Sequence, residues 1–193
     1  MLIAGLTGGL ACGKSFVAEA LRRLGCHVVE ADELGHAVLA PGGSAYAPVL
    51  REFGTVERVQ LAKMVFGDSA ALALLNGIVH PAVHDLARQR FREIAAEDPR
   101  AIAIYVAAIL VETGGYRDLD KLIVADCSRE IQIARALQRS GATPADIEAR
   151  LNRQLPAERK RELADFIVNT EGTKEETLRQ TKLVFEELRR LAS

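Results

Sequence analysis

The residues whose types and spacing point most directly to chemistry lie near the N-terminus: Gly8-Gly9-Leu10-Ala11-Cys12-Gly13-Lys14-Ser15. The run fits G-x-x-x-x-G-K-S/T, in which glycines let the backbone curl until successive N–H groups point at one anion. A helix starting at the end of the loop adds the positive end of its dipole. On this reading Lys14 bridges the β- and γ-phosphates of ATP, and the Ser15 hydroxyl is a hard oxygen ligand for Mg²⁺. The nucleotide-contact set is Gly8 through Ser15 together with Phe16. Kinases, GTPases and mechanical ATPases share such loops. The sequence has no N-K-x-D tetrapeptide and no second domain for a motor to move, which leaves a small-molecule kinase as the best class.

A kinase needs a carboxylate beside the γ-phosphate to orient the acceptor hydroxyl, take its proton or hold Mg²⁺. Asp32, directly after an expected strand, is the leading candidate for a catalytic and metal-shell role; its competing role is a helix N-cap. Glu112 follows another apolar run and precedes Thr113-Gly114-Gly115. It suits either a substrate hydroxyl, the metal shell or the cap of a turn. His80, next to Pro81, receives no role from residue chemistry alone. Arg135 and Arg139 are one helical turn apart, so they project from one face and can stabilise charge that develops during phosphoryl transfer. A lid carrying them would also exclude water.

These groups need elements to position them. Leu2 to Leu6, His27 to Ala31, Ala101 to Leu110 and Lys121 to Asp126 read as buried strands, with a fifth at Asp165 to Asn169. Val17, Leu21 and Leu24, and later Val184, Leu188 and Leu191, have helical spacing. Strand and helix alternate, so the expected fold is α/β: a three-layer kinase fold with about five parallel strands covered on both faces. Residues 34–97 read as a helical insertion, with Pro41-Gly42-Gly43 and Asn76-Gly77 as turn signals. Residues 131–161 read as a jointed, arginine-rich helical lid, interrupted at Gly141, Pro144 and Pro156.

Length and composition are consistent with one domain. At 193 residues, 49% hydrophobic and 26% charged, the chain can build an ordinary core without disulfides or a structural metal. A net charge of -1 argues against general attraction to nucleic acid or anionic membranes, so any anion site must be local. The three cysteines, Cys12, Cys26 and Cys127, lack paired or metal-binding spacing and fit a reducing compartment. Met1 to Leu6 lack a signal-peptide pattern, and no uninterrupted apolar run reaches about 18 residues. The expectation is a cytoplasmic protein with a small-molecule substrate, no nucleic-acid or membrane partner, and a monomeric or weakly homo-oligomeric state.

Taken together, several stretches resemble the dephospho-CoA kinase family, which phosphorylates the ribose 3′-hydroxyl of dephospho-CoA in the last step of coenzyme A biosynthesis. They are Gly5-Leu6-Thr7-Gly8-Gly9, Ala31-Asp32 with His36, Leu75 to Pro81, and Leu110-Val111-Glu112-Thr113-Gly114. Gln132 with Arg135 and Arg139, Gln154-Leu155-Pro156, Lys160 and Ala164-Asp165-Phe166 follow. The resemblance implies that the helical insertion binds the coenzyme and that Thr7, Asp32 and Arg139 surround the reacting groups. It also implies substrate-side roles for His80 and Glu112. Phe16, Ala108, the short stretch from Gly54 to Arg58 and Asn169-Thr170 depart from the family pattern. A nucleoside or nucleotide kinase of related fold, or an ATP-binding switch without catalysis, are the alternatives.

Overall fold

The computed structural model describes residues 1–140, 143–152 and 154–193, the side chains of residues 139 and 140 excepted. Five strands form one sheet: β1 (Leu2–Gly8), β2 (His27–Glu30), β3 (Ile102–Val106), β4 (Lys121–Asp126) and β5 (Phe166–Asn169), in the order β2-β3-β1-β4-β5. β1 pairs in parallel with β3 and β4, and β5 with β4. Nearly every residue of β1 and β4 is buried. This is why both read as continuous apolar runs rather than alternating ones. The register Leu6↔Val106 and Gly8↔Ala125 brings the carboxyl ends of three strands to one edge, where the glycine-rich loop leaves β1.

Cα packing divides the chain into two units, residues 1–28 with 94–193, and residues 29–93. The first unit holds a core of Leu2, Leu6, Ile104 and Ile123 from the sheet. Against it pack Val17 and Leu21 of α1 (Lys14–Arg23), and Val184 and Leu188 of α9 (Lys174–Leu191). The helical spacing read from the sequence is thus the buried face of each helix. Between β4 and β5 lie α6 (Arg129–Ser140), α7 (Pro144–Leu151) and α8 (Ala157–Leu163). Thr143 starts α7 with a reciprocal capping box: its hydroxyl accepts from the Asp146 N–H, while its own N–H donates to the Asp146 carboxylate. Pro144 then occupies a position where no N–H is required.

The second unit is helical: α2 (Ala31–Leu39), α3 (Tyr46–Phe53), α4 (Arg58–Val65) and most of α5 (Ser69–Glu97). Pro41-Gly42-Gly43 makes the expected turn, closed by the Gly43 N–H on the Ala40 carbonyl at 2.8 Å. Asn76-Gly77 does not; α5 runs straight through it and through Pro81. The proline ring meets the carbonyl four residues back, and that residue is Gly77, whose surroundings are open. Val83, Ala87 and Phe91, four apart, are buried and fix the second half of the helix. Local breaker propensity is overridden by packing.

The third strand is also shorter than the sequence suggests. β3 stops at Val106, and residues 107–114 fold into turns closed by the Thr113 N–H on the Ile109 carbonyl and by Gly114 at φ 75°. Leu110 and Val111 are nonetheless buried, which is why the apolar run continues past the strand end. Ala31, expected to finish the second strand, instead begins α2.

Candidate functional site

The loop from Gly8 to Ser15 joins β1 to α1 with little steric slack. A Cβ at Gly8 would lie 2.3 Å from the Ala125 carbonyl oxygen, so only glycine lets β1 end this close to β4. Ala11 sits at φ 56°, a left-handed conformation that costs a non-glycine residue of order 1 kcal/mol and is typical of functional backbone. Gly13, at φ 75°, caps α1, and its carbonyl accepts both the Phe16 and Val17 N–H groups. Among the described residues the N–H groups of Gly13 and Ser15 have no hydrogen-bond acceptor. The first turn of α1 carries no acidic side chain. Open amides at a helix start, without a competing carboxylate, are what a polyphosphate requires.

Lys14 Nζ donates to the carbonyls of Gly8 and Gly9, both at 3.0 Å, which holds the ammonium over the loop. Ser15 is exposed and its hydroxyl has no partner among the described residues. Cys12 and Cys127 are buried with their sulfurs 3.2 Å apart. The hydrogen bond from Cys127 lowers the Cys12 thiol to about 7 against the opposing effect of burial, with Lys14 contributing. The buried Thr170 ties the loop to β5: its hydroxyl lies 3.1 Å from the Cys12 carbonyl and 3.2 Å from that of Asp126.

The other sequence candidates in this unit are engaged. Arg135 donates to the Thr170 hydroxyl at 3.3 Å and to its carbonyl at 2.5 Å, so α6 is fastened to the loop after β5. Thr7 is fully buried, and its hydroxyl reaches the Ala108 carbonyl at 3.3 Å. Glu112 forms a 2.8 Å ion pair with Lys160, whose side chain is 2% exposed, and accepts the Leu155 N–H at 3.0 Å. Its second oxygen, Oε2, is buried without a hydrogen-bond partner. The side chain of Arg139, like Arg153, lies outside the described residues. A cavity of about 640 Å³ opens here, lined by Gly9, Asp126, Gln132, Gln154, Lys160 and Arg161 among others. Residue chemistry gave Gln132, Gln154, Lys160 and Thr170 no role, because ordinary polar residues in helices and loops reveal nothing until their partners are known.

In the helical unit the candidates stand open. Asp32 lies in the first turn of α2, exposed, with neither ion pair nor hydrogen bond among the described residues. The helix begins at Ala31 after Glu30, so Asp32 is not its N-cap. His36 contacts Arg58 through its Nε2. His80 is exposed at the residue level, yet desolvation of its ring, followed by repulsion from His84 one turn on, lowers its pKa. Among the described residues no three His, Cys, Asp or Glu side chains form a self-sufficient metal cage. Ser15 in the first unit and Asp32 in the second each carry an exposed side-chain oxygen; Mg²⁺ commonly takes only one or two protein oxygens and completes its shell with water and phosphates.

The sequence model of dephospho-CoA kinases matches residues 2–176. The chain belongs to the dephospho-CoA kinase family. A dephospho-CoA kinase of Leifsonia xyli subsp. xyli is 39% identical over 197 residues, covering 98% of this chain and all of its relative. Among solved structures, a protein of Thermus thermophilus superposes with a TM-score of 0.83 at 29% identity, covering 96% of this chain and 97% of that one. A dephospho-CoA kinase from Campylobacter jejuni gives a TM-score of 0.66 at 22% identity over 96% of each chain, a likeness of fold.

Proposed function

We infer that this protein transfers the γ-phosphoryl group of ATP to the ribose 3′-hydroxyl of dephospho-CoA, giving coenzyme A and ADP. The observation that carries this reading is the phosphate loop: orphan amides at the start of α1, Lys14 folded over them and a left-handed Ala11, in a chain of this family. The 3′-oxygen attacks the γ-phosphorus, the bond to the β,γ-bridging oxygen breaks, and the electron pair leaves with ADP. The loop amides and Lys14 hold the β- and γ-phosphates in line and stabilise the charge that develops on them. Asp32, open to solvent and without a partner among the described residues, supplies the carboxylate, as proton acceptor or through the Mg²⁺ shell. Mg²⁺, when bound, neutralises charge on the β- and γ-oxygens; Ser15 and Asp32 are the residues that would hold it.

Arg135 and Arg139 belong to the lid of this reading and neutralise the transferred group as the lid closes. Thr7, His80 and Glu112 complete the substrate side. In the helical unit, Arg58, Val59 and Lys63 of α4 and Phe66 just beyond its end surround a shallow depression, Phe66 being 80% exposed. Cations beside bare apolar side chains suit a substrate that joins phosphates to a long uncharged arm. The protein works in the cytoplasm, as a monomer or weak homo-oligomer.

Incubation with ATP, Mg²⁺ and dephospho-CoA should yield coenzyme A and ADP in equal amounts. Absence of product at saturating substrate overturns the reading. Equal turnover with nucleosides lacking the pantetheine arm would make the protein a nucleoside kinase instead.

A further inference from the structure

Three consecutive loop residues, Gly9 to Ala11, touch the lid just ahead of the open amides of Gly13 and Ser15. A Cβ at Gly9 would lie 2.6 Å from the side-chain oxygen of Gln132 in α6, so this glutamine sits directly over the glycine. The Leu10 N–H donates to the side-chain oxygen of Gln154 at 2.9 Å. Leu10 and Ala11 pack against Ala136, Ile147 and Leu151, the small apolar core shared by α6 and α7. The loop is therefore built into the root of the lid, and its strained residue, Ala11, lies inside that contact.

Gln154 is itself anchored. The next residue, Leu155, gives its N–H to Glu112 Oε1 at 3.0 Å, and the same oxygen is held by Lys160 at 2.8 Å. Lys160 is 1% exposed and has no hydrogen-bond partner beyond this ion pair. A charge so buried is costly to leave unpaired, so the pair fixes the segment 154–156 on both sides. The Gln154 amide thus reaches Leu10 from a rigid support, and a partly buried N–H that lost its acceptor would be penalised.

We propose that Gln154 is a positioning residue of the phosphate loop: by accepting the Leu10 N–H it holds Ala11 in its left-handed form and so aims the following amides at the phosphates of ATP. Glu112 and Lys160 act one step behind it, by fixing the strap that carries Gln154. In this role Gln154 acts through the Leu10 N–H rather than on the reacting atoms. Because the loop serves ATP alone, its loss weakens the nucleotide and spares the acceptor. The inference rests on ATP binding at this loop.

The test compares Gln154→Met, which keeps length but has no acceptor, with Gln154→Glu, which keeps an acceptor oxygen. In steady-state assays on the full chain, the Met variant should raise KM for ATP about tenfold, the range expected for one lost hydrogen bond. KM for dephospho-CoA should be unchanged, and the Glu variant should restore most of the loss. A Met variant with the wild-type KM for ATP overturns the proposal, as does a Glu variant no better than Met, or an equal rise in both KM values. Should the Met variant fail to fold, amide exchange in the wild-type protein decides: a Leu10 N–H protected like those of β1 supports the proposal, and one exchanging like an exposed loop overturns it. A wild-type protein that does not use ATP would instead sink the functional reading itself.

Discussion

The phosphate-loop unit and the helical unit treat their polar residues in opposite ways. In the first, Lys14, Arg135, Thr7, Glu112 and Lys160 are all engaged before any substrate is present. In the second, Asp32 has no partner among the described residues, Phe66 is 80% exposed and Val59 68%. The long helix α5 is apolar enough along eighteen residues to pass for a membrane span, yet only 17% of that stretch is buried. One unit is preorganised, and the other keeps its surface for something that arrives. Preorganised dipoles raise reaction rates because they need no rearrangement when charge develops. An open apolar and cationic surface costs stability and is maintained where a ligand covers it.

The sharpest way to break this contrast is at Asp32. Asp32→Asn should lower kcat by about 10²- to 10⁴-fold. Its unfolding free energy should stay within about 0.5 kcal/mol of wild type, because an exposed, unpaired group supports nothing. A variant that melts early but keeps its rate would place Asp32 among the structural residues. In the other unit the expected loss is of stability. Lys160→Met leaves the Glu112 carboxylate buried alone and should cost about 3–5 kcal/mol in denaturant unfolding. Adding Glu112→Gln, which keeps an acceptor for the Leu155 N–H, should recover most of it; no recovery would mean that the pair is not the source.

Alkaline titration probes the same core. Burial raises the Cys26 thiol from 9.0 to about 12, so the folded protein keeps this proton where the unfolded chain releases it. A raised folded-state pKa gives stability that is whole below pH 9 and is lost as pH climbs toward 12. The loss is roughly 4 kcal/mol at most, by the pKa-to-energy conversion. Cys26→Ala should flatten that part of the stability profile, and an unchanged slope would show that other groups govern it. The smallest effect on stability belongs to the helical unit. Phe66→Ser should change unfolding by under about 0.5 kcal/mol, while KM for dephospho-CoA rises severalfold and KM for ATP does not move. A marked fall in stability would show that Phe66 serves folding rather than binding.

Much of the phosphate-loop unit was legible beforehand because its information is local. Continuous apolar runs marked β1 and β4, and Val17, Leu21 and Leu24 marked the helix after the loop. Where the reading failed, local signals met tertiary packing. Asn76-Gly77 carries a turn signal inside a helix fixed by Val83, Ala87 and Phe91. Leu110 and Val111, beyond Val106, are buried in turns rather than in strand. For Glu112 the sequence leaves a substrate hydroxyl, the metal shell and the cap of a turn equally open, and no local signal points to Lys160 and the Leu155 N–H, which share one of its oxygens.

The sequence by itself determined the phosphate loop and the strand and helix that flank it, since glycine conformations, a lysine and a serine at fixed spacing act over a few bonds. Only the tertiary structure decided that the Gln154 side chain meets the Leu10 N–H, that Lys160 is buried against Glu112, and that Asp32 has no partner among the described residues. Those outcomes depend on which distant groups lose water together. The energy of a buried charge or amide comes from its neighbours in space rather than from its neighbours in the chain.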